Sequence, residues 1–126
     1  VPEGIYQIVA LNPLSNFDLS MELNYPNSYD HLQASLSHRK NLGNNIFIHG
    51  GDHSVGCIAI GNAAIQRLYP LVAKVGLDRV SVIIAPNDLR QQSPLYEKTP
   101  PEWLPFLYAK IKVALSDYPL PSTTLA

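Results

Sequence analysis

The chain's one cysteine, two of its four histidines, an aspartate and four of its seven glycines fall within a seventeen-residue stretch, IFIHGGDHSVGCIAIGN, from Ile46 to Asn62. A cysteine is a useful nucleophile only as its thiolate, and a thiol with a pKa of about 8.5 is mostly protonated at neutral pH. Cys57 therefore needs a base or a positive environment. His49, eight residues upstream at the end of an apolar run, is the candidate base. Gly50, Gly51 and Gly56 let the chain double back so that the imidazole can reach the sulfur. Gly56 also permits close backbone approach, and N–H groups exposed where this turn runs toward a helix could bind a developing oxyanion.

Two other readings use the same residues. His49, Asp52, His53 and Cys57 are all possible zinc ligands. Structural zinc sites usually draw two ligand pairs from separate elements, however, and a catalytic site needs three ligands plus an open position. One short loop would have to supply them all while folding around the ion, so no metal and no other cofactor is expected. The second reading is purely structural: a small buried thiol and a hydrogen-bonded histidine in a tight turn between a strand and a helix. On the residues alone the thiol-nucleophile reading leads and the structural one stays open.

Elements on either side must position this stretch. With 126 residues the chain is one domain's worth and can bury roughly two-thirds of its unfolded surface. Nine Lys+Arg against ten Asp+Glu give a formal net charge of −1. There is no basic stripe for a phosphate backbone, and no apolar run approaches the ~20 residues of a membrane span. Neither nucleic acid nor membrane insertion is expected, and composition sets no oligomeric state. A lone cysteine forms no internal disulfide and leaves the redox compartment undecided. Because the sequence starts at Val1, the chain is expected to be a processed or excised piece, and a missing signal peptide says nothing about where the protein resides.

The first half reads as strands. Gly4 to Leu11 is β-branched and aromatic, NPLSN is turn chemistry, and Phe17 to Tyr25 alternates Phe17, Leu19, Met21, Leu23 and Tyr25 with polar residues. This is the pattern of a half-buried strand paired antiparallel with the one before it. The polar segment Pro26 to Asn45 is long for a connection; it reads as a flap beside a site, or as a short helix around Leu32 to Ser37, with Tyr25 and Tyr29 as candidate substrate walls. Ile46, Phe47 and Ile48 suit a strand covered on both faces.

After Cys57, Asn62 reads as the N-cap of a helix carrying Ile65, Leu68, Tyr69, Val72 and Val75, with a kink or restart at Pro70 and a C-terminal cap at Gly76. Arg79 to Pro86 reads as a core strand. Thr99 and Glu102 have capping-box spacing ahead of an amphipathic helix bearing Leu104, Leu107, Tyr108, Ile111, Leu115 and Tyr118, ended by Pro119. No internal repeat or second domain is visible.

Ile48-His49-Gly50 followed by Ser54-Val55-Gly56-Cys57 resembles the signature of the L,D-transpeptidase (YkuD-like) catalytic domain, in which a His-Gly at a strand end precedes Ser/Thr-x-Gly-Cys. PEGIYQIVALNP (Pro2 to Pro13), LSMELNYPN (Leu19 to Asn27) and the helix after GCIAI are similar to the same parts of that family, particularly its branch with a short His-to-Cys loop. The resemblance covers residues 2 to about 85 well and the C-terminal helix loosely. It implies that Cys57 is the nucleophile, His49 its general base, and Gly50 the position whose carbonyl orients the imidazole. Ser54, Val55 and Gly56 fall on the oxyanion and substrate side. Val55 stands where many members carry a second His, and Ala59 where many carry Arg or Asn. His53 lies outside the carried-over positions and is read as a local polar residue or substrate contact.

The implied fold is mainly β with flanking helices, a small sandwich-like core. Residues 1–126 would form a single catalytic domain, N-terminally incomplete because the family domain has strands upstream of Pro-Glu-Gly. The implied function is cysteine acyl transfer on peptidoglycan stem peptides, in periplasm or cell wall, with susceptibility to carbapenem-type β-lactams. The alternatives are an L,D-carboxypeptidase or amidase on the same scaffold, and a non-catalytic peptidoglycan-binding domain.

Overall fold

The computed structural model describes residues 2–15, 18–51, 57–96 and 99–118. These residues form two compact units, one built on Tyr6–Val82 and the other on Glu3–Ile5 with residues 83–118.

The expected sheet with flanking helices is present as a mixed five-stranded sheet, in the order β4-β3-β2-β1-β5. β1 (Gly4–Ser15) pairs antiparallel with β2 (Asp18–Leu23), matching Ile8 to Leu23 and Leu11 to Met21, with register shifts after Ile8 and after Asn12. β1 thus runs on through Asn12 and Pro13, which sequence chemistry assigned to a turn; Phe17 lies outside the described residues. β2 then pairs antiparallel with β3 (Phe47–His49), setting Met21 against Ile48 and Ser20 against His49. Tyr6, Ile8, Met21, Leu23 and Ile48 are all buried. Alternation predicts this core face, each fully buried aliphatic contributing about 1.5–3 kcal/mol. The half-buried expectation for β2 is corrected: as the middle strand it also buries Ser20, on its other face, to 4% exposure.

The segment after β2 is not an irregular flap throughout. α1 (Ser28–Leu36) begins four residues before the expected helix, because Asn27 accepts from the Asp30 N–H while the Asp30 carboxylate accepts from the Asn27 N–H. This reciprocal capping box satisfies two donors that would otherwise lack partners at the helix start. At the other end His38 adopts a left-handed φ of 57°. The His38 N–H then reaches the Ser35 carbonyl, and the Arg39 N–H the Ala34 carbonyl at 2.8 Å. That pattern is a Schellman turn, usually built on glycine.

α2 (Asn62–Val75) packs against β2 and β3, burying Ile65 and Val72. It continues through Pro70 without restarting, and Gly76 closes it with an N–H to the Val72 carbonyl at 2.9 Å. A 3₁₀ turn at Leu77–Arg79 precedes β5 (Ser81–Ile84), so the strand expected from Arg79 is shorter. β5 is an edge strand of intermediate burial, not a core strand, because it pairs outside β1.

In the second unit α3 (Leu104–Leu115) buries Leu107, Tyr108 and Ile111. The Tyr108 hydroxyl donates to Glu3 at 3.0 Å and its ring lies 5.3 Å from that of Tyr96. Trp103 occupies the N-cap without a side-chain bond, so the expected Thr99–Glu102 capping box does not start this helix; Pro105 in its first turn suits the start instead. Arg90 grips both Asp88 carboxylate oxygens and also donates to the Tyr118 carbonyl at 2.8 Å, and these bonds hold the Asp88 carboxyl below its ordinary pKa. Among the described residues no helix is long and apolar enough to cross a membrane.

Candidate active site

His49 ends β3 and is 2% exposed. Its Nδ1 lies 2.6 Å from the Gly50 carbonyl. A carbonyl can only accept, so Nδ1 carries the proton and the ring's acceptor lone pair resides on Nε2. This is the tautomer a general base requires. Across the β2–β3 ladder His49 faces buried Ser20, a neighbour that nothing in the local pattern of β2 reveals.

Cys57 is half-buried, one residue before β4 (Ile58–Ala59). β4 pairs parallel with β3, Ile48 opposite Ile58 and His49 opposite Ala59. Cys57, immediately before the paired residues, is thus brought to the start of the strand beside the one that carries His49. The thiol donates to the Asn45 carbonyl at 3.5 Å, and Asn45 itself holds a left-handed φ of 55°.

The two halves of the stretch are bound together by three hydrogen bonds. The Ile60 N–H donates to the His49 carbonyl and the Gly61 N–H to the Gly51 carbonyl, each at 3.0 Å. The Gly51 N–H donates to Asn62 Oδ1 at 2.9 Å. Asn62 is thus corrected from the expected N-cap: Gly61 holds that position without a side-chain bond, and the amide of Asn62 ties the turn after His49 to the first residue of α2. Asn62→Ala is expected to lower stability by about 1 kcal/mol, the net worth of one hydrogen bond, read as a shifted denaturant midpoint. Asn62→Asp, which keeps the acceptor, should recover most of the loss.

Asp52, His53, Ser54, Val55 and Gly56 lie outside the described residues. Among the described residues there is no group of three His, Cys, Asp or Glu side chains that could hold a metal ion. Of the expected substrate walls, Tyr25 follows β2 and Tyr29 lies in the first turn of α1. The Tyr25 hydroxyl donates to the Leu42 carbonyl at 2.6 Å and its ring stands edge-on to Tyr6 at 5.9 Å. Burial, reinforced by nearby Asp30, pushes both phenols above the ordinary value of 10.0.

Comparison with known proteins agrees with this architecture. The fold resembles the solved structure of Bdellovibrio bacteriovorus Bd1075, with a TM-score of 0.51 and 20% sequence identity over 93% of this chain and 40% of that one. At that identity the likeness speaks for the fold alone, and the chain spans 40% of that protein's length. No curated protein matches the sequence. The model of the YkuD family, the L,D-transpeptidase catalytic domain, matches residues 1–84, a stretch that includes β1 to β5 and the sequence from His49 to Cys57. The chain belongs to the YkuD family of L,D-transpeptidase catalytic domains.

Proposed function

We propose that this chain is a cysteine acyltransferase acting on peptidoglycan stem peptides outside the bacterial inner membrane, in the periplasm or cell wall. Family membership supports the reaction class. The observation that supports the reading is the His49 Nδ1 bond to the Gly50 carbonyl, because it leaves Nε2 as the ring's acceptor, the role a general base needs. In the first step Nε2 takes the Cys57 thiol proton as the sulfur attacks the carbonyl preceding a terminal D-amino acid. The tetrahedral oxyanion is received by backbone N–H groups of the Ser54-Val55-Gly56-Cys57 turn. Collapse breaks the C–N bond, His49 returns the proton to the leaving amine, and a thioester remains on Cys57. An amine of a neighbouring stem then attacks the thioester to form a cross-link. With water as the acceptor the same steps give carboxypeptidase action.

Incubation with a purified muropeptide, followed by mass analysis of enzyme and products, tests this. The expected result is an enzyme mass raised by the donor minus its terminal D-amino acid, with release of that amino acid. Tight binding with neither adduct nor product would make the domain a peptidoglycan binder instead.

A further inference from the structure

α1 and the chain returning from it enclose a groove of about 500 Å³, lined by His31, Ala34, Arg39, Lys40, Asn41 and Asn44 among others. Its walls are built features. The left-handed turn at His38 reverses the chain and brings Arg39 and Lys40 back along the helix. Tyr25, donating to the Leu42 carbonyl, ties the outer wall to the sheet. The charge within is one-sided: among the described lining residues there are cationic side chains and amides but no carboxylate. Asp30, one residue before His31, turns its carboxylate to the Tyr6 hydroxyl and the Asn27 N–H. The groove also leads to the thiol, since Asn44 lines it and the next residue, Asn45, accepts from Cys57.

We propose that this groove binds the carboxylate end of the peptide acyl donor, with Arg39 and Lys40 as the recognising cations and His31 and Asn44 as supporting donors. The inference rests on the reading of Cys57 as the attacking thiol. A peptide whose scissile carbonyl lies at Cys57 carries its terminal carboxylate one residue further on, and an extended chain advances about 3.3–3.6 Å per residue. Asn44, next in sequence to the thiol's partner Asn45, lines the same groove as Arg39 and Lys40. A guanidinium fork matches a carboxylate in two parallel hydrogen bonds, and an ammonium adds a point charge.

The experiment uses a stem peptide ending in D-alanine, as the free acid and as its C-terminal amide, titrated into Cys57→Ala protein so that no turnover intervenes. The acid is expected to bind roughly tenfold more tightly than the amide at low salt, with the preference fading as ionic strength rises. In the same background Arg39→Ala/Lys40→Ala should bring the acid down to the level of the amide. Equal weakening of both forms, or no change in either, overturns the proposal. Acyl-enzyme formation by the unaltered protein is followed separately by mass. Acid-selective binding without an adduct would keep the groove and remove the acyl-transfer reading. An adduct without acid selectivity would do the reverse.

Discussion

Cys57→Ala is expected to lower acyl transfer by more than about 10⁴-fold while the protein stays folded. Removing the nucleophile of a covalent mechanism leaves only binding and oxyanion stabilisation to act on water, and losses of that order or larger are typical. Stability should change little, because the side chain is only half-buried and its bond to Asn45 is a long sulfur contact of 3.5 Å. A carbapenem-type β-lactam gives the cleanest readout. The unaltered protein should gain the mass of one inhibitor equivalent, and Cys57→Ala none. Cys57→Ser should also give no adduct, since a hydroxyl is far harder to ionise than a thiol. An adduct of the same mass on Cys57→Ala would place the nucleophile elsewhere and end the assignment.

The second large effect is expected at His49. Loss of a general base costs roughly 10²–10⁴-fold, so His49→Ala should slow acylation of Cys57 by that factor. Alanine at a position 2% exposed also leaves a cavity and removes the donor to the Gly50 carbonyl, so part of its effect would be structural. His49→Gln separates the two. Its amide can donate to the same carbonyl and fills more of the space, yet it cannot take a proton at neutral pH. The expected outcome is a protein that unfolds near the unaltered midpoint but acylates as slowly as the alanine variant. Its rate of Cys57 alkylation should also follow hydroxide as an ordinary thiol does. Full acylation by a folded His49→Gln protein would remove the base assignment.

The motif that carries these two candidates is legible in the sequence because its signal is local. A His-Gly at the end of an apolar run, followed after a glycine-rich turn by Gly-Cys, is a pattern of adjacent residues. The same holds for the core positions of the regular elements. Alternation over Leu19 to Leu23 marks Met21 and Leu23, and helical spacing marks Ile65, Val72, Leu107 and Ile111, all of them buried, while Leu68, Val75 and Tyr118 on the same spacing are exposed. Cap signals were less dependable. α1 starts at an Asn-x-x-Asp box rather than the commoner Ser/Thr-x-x-Glu, and it ends on a left-handed histidine where a glycine would have announced the turn. Thr99 and Glu102 had the right spacing ahead of α3, but the helix begins after them, at Leu104.

What the sequence determined by itself was the family motif, the strands on either side of it and the faces they bury, since each depends on residues within a few positions of one another. Only tertiary structure decided the partners: Ser20 beside His49, Asn45 against the thiol, Asn62 on Gly51, and β5 at the edge of the sheet. The first three join positions from eleven to twenty-nine residues apart, and β5 pairs with β1 from the far end of the sheet-forming sequence. Such pairings follow from strand order and register, which depend on the packing of the whole sheet and leave no periodic trace in either partner's own segment. The cationic groove arises in the same way. Arg39 and Lys40 look like an ordinary solvated pair until the turn at His38 sets them in one groove with Asn44, the residue before the thiol's partner Asn45.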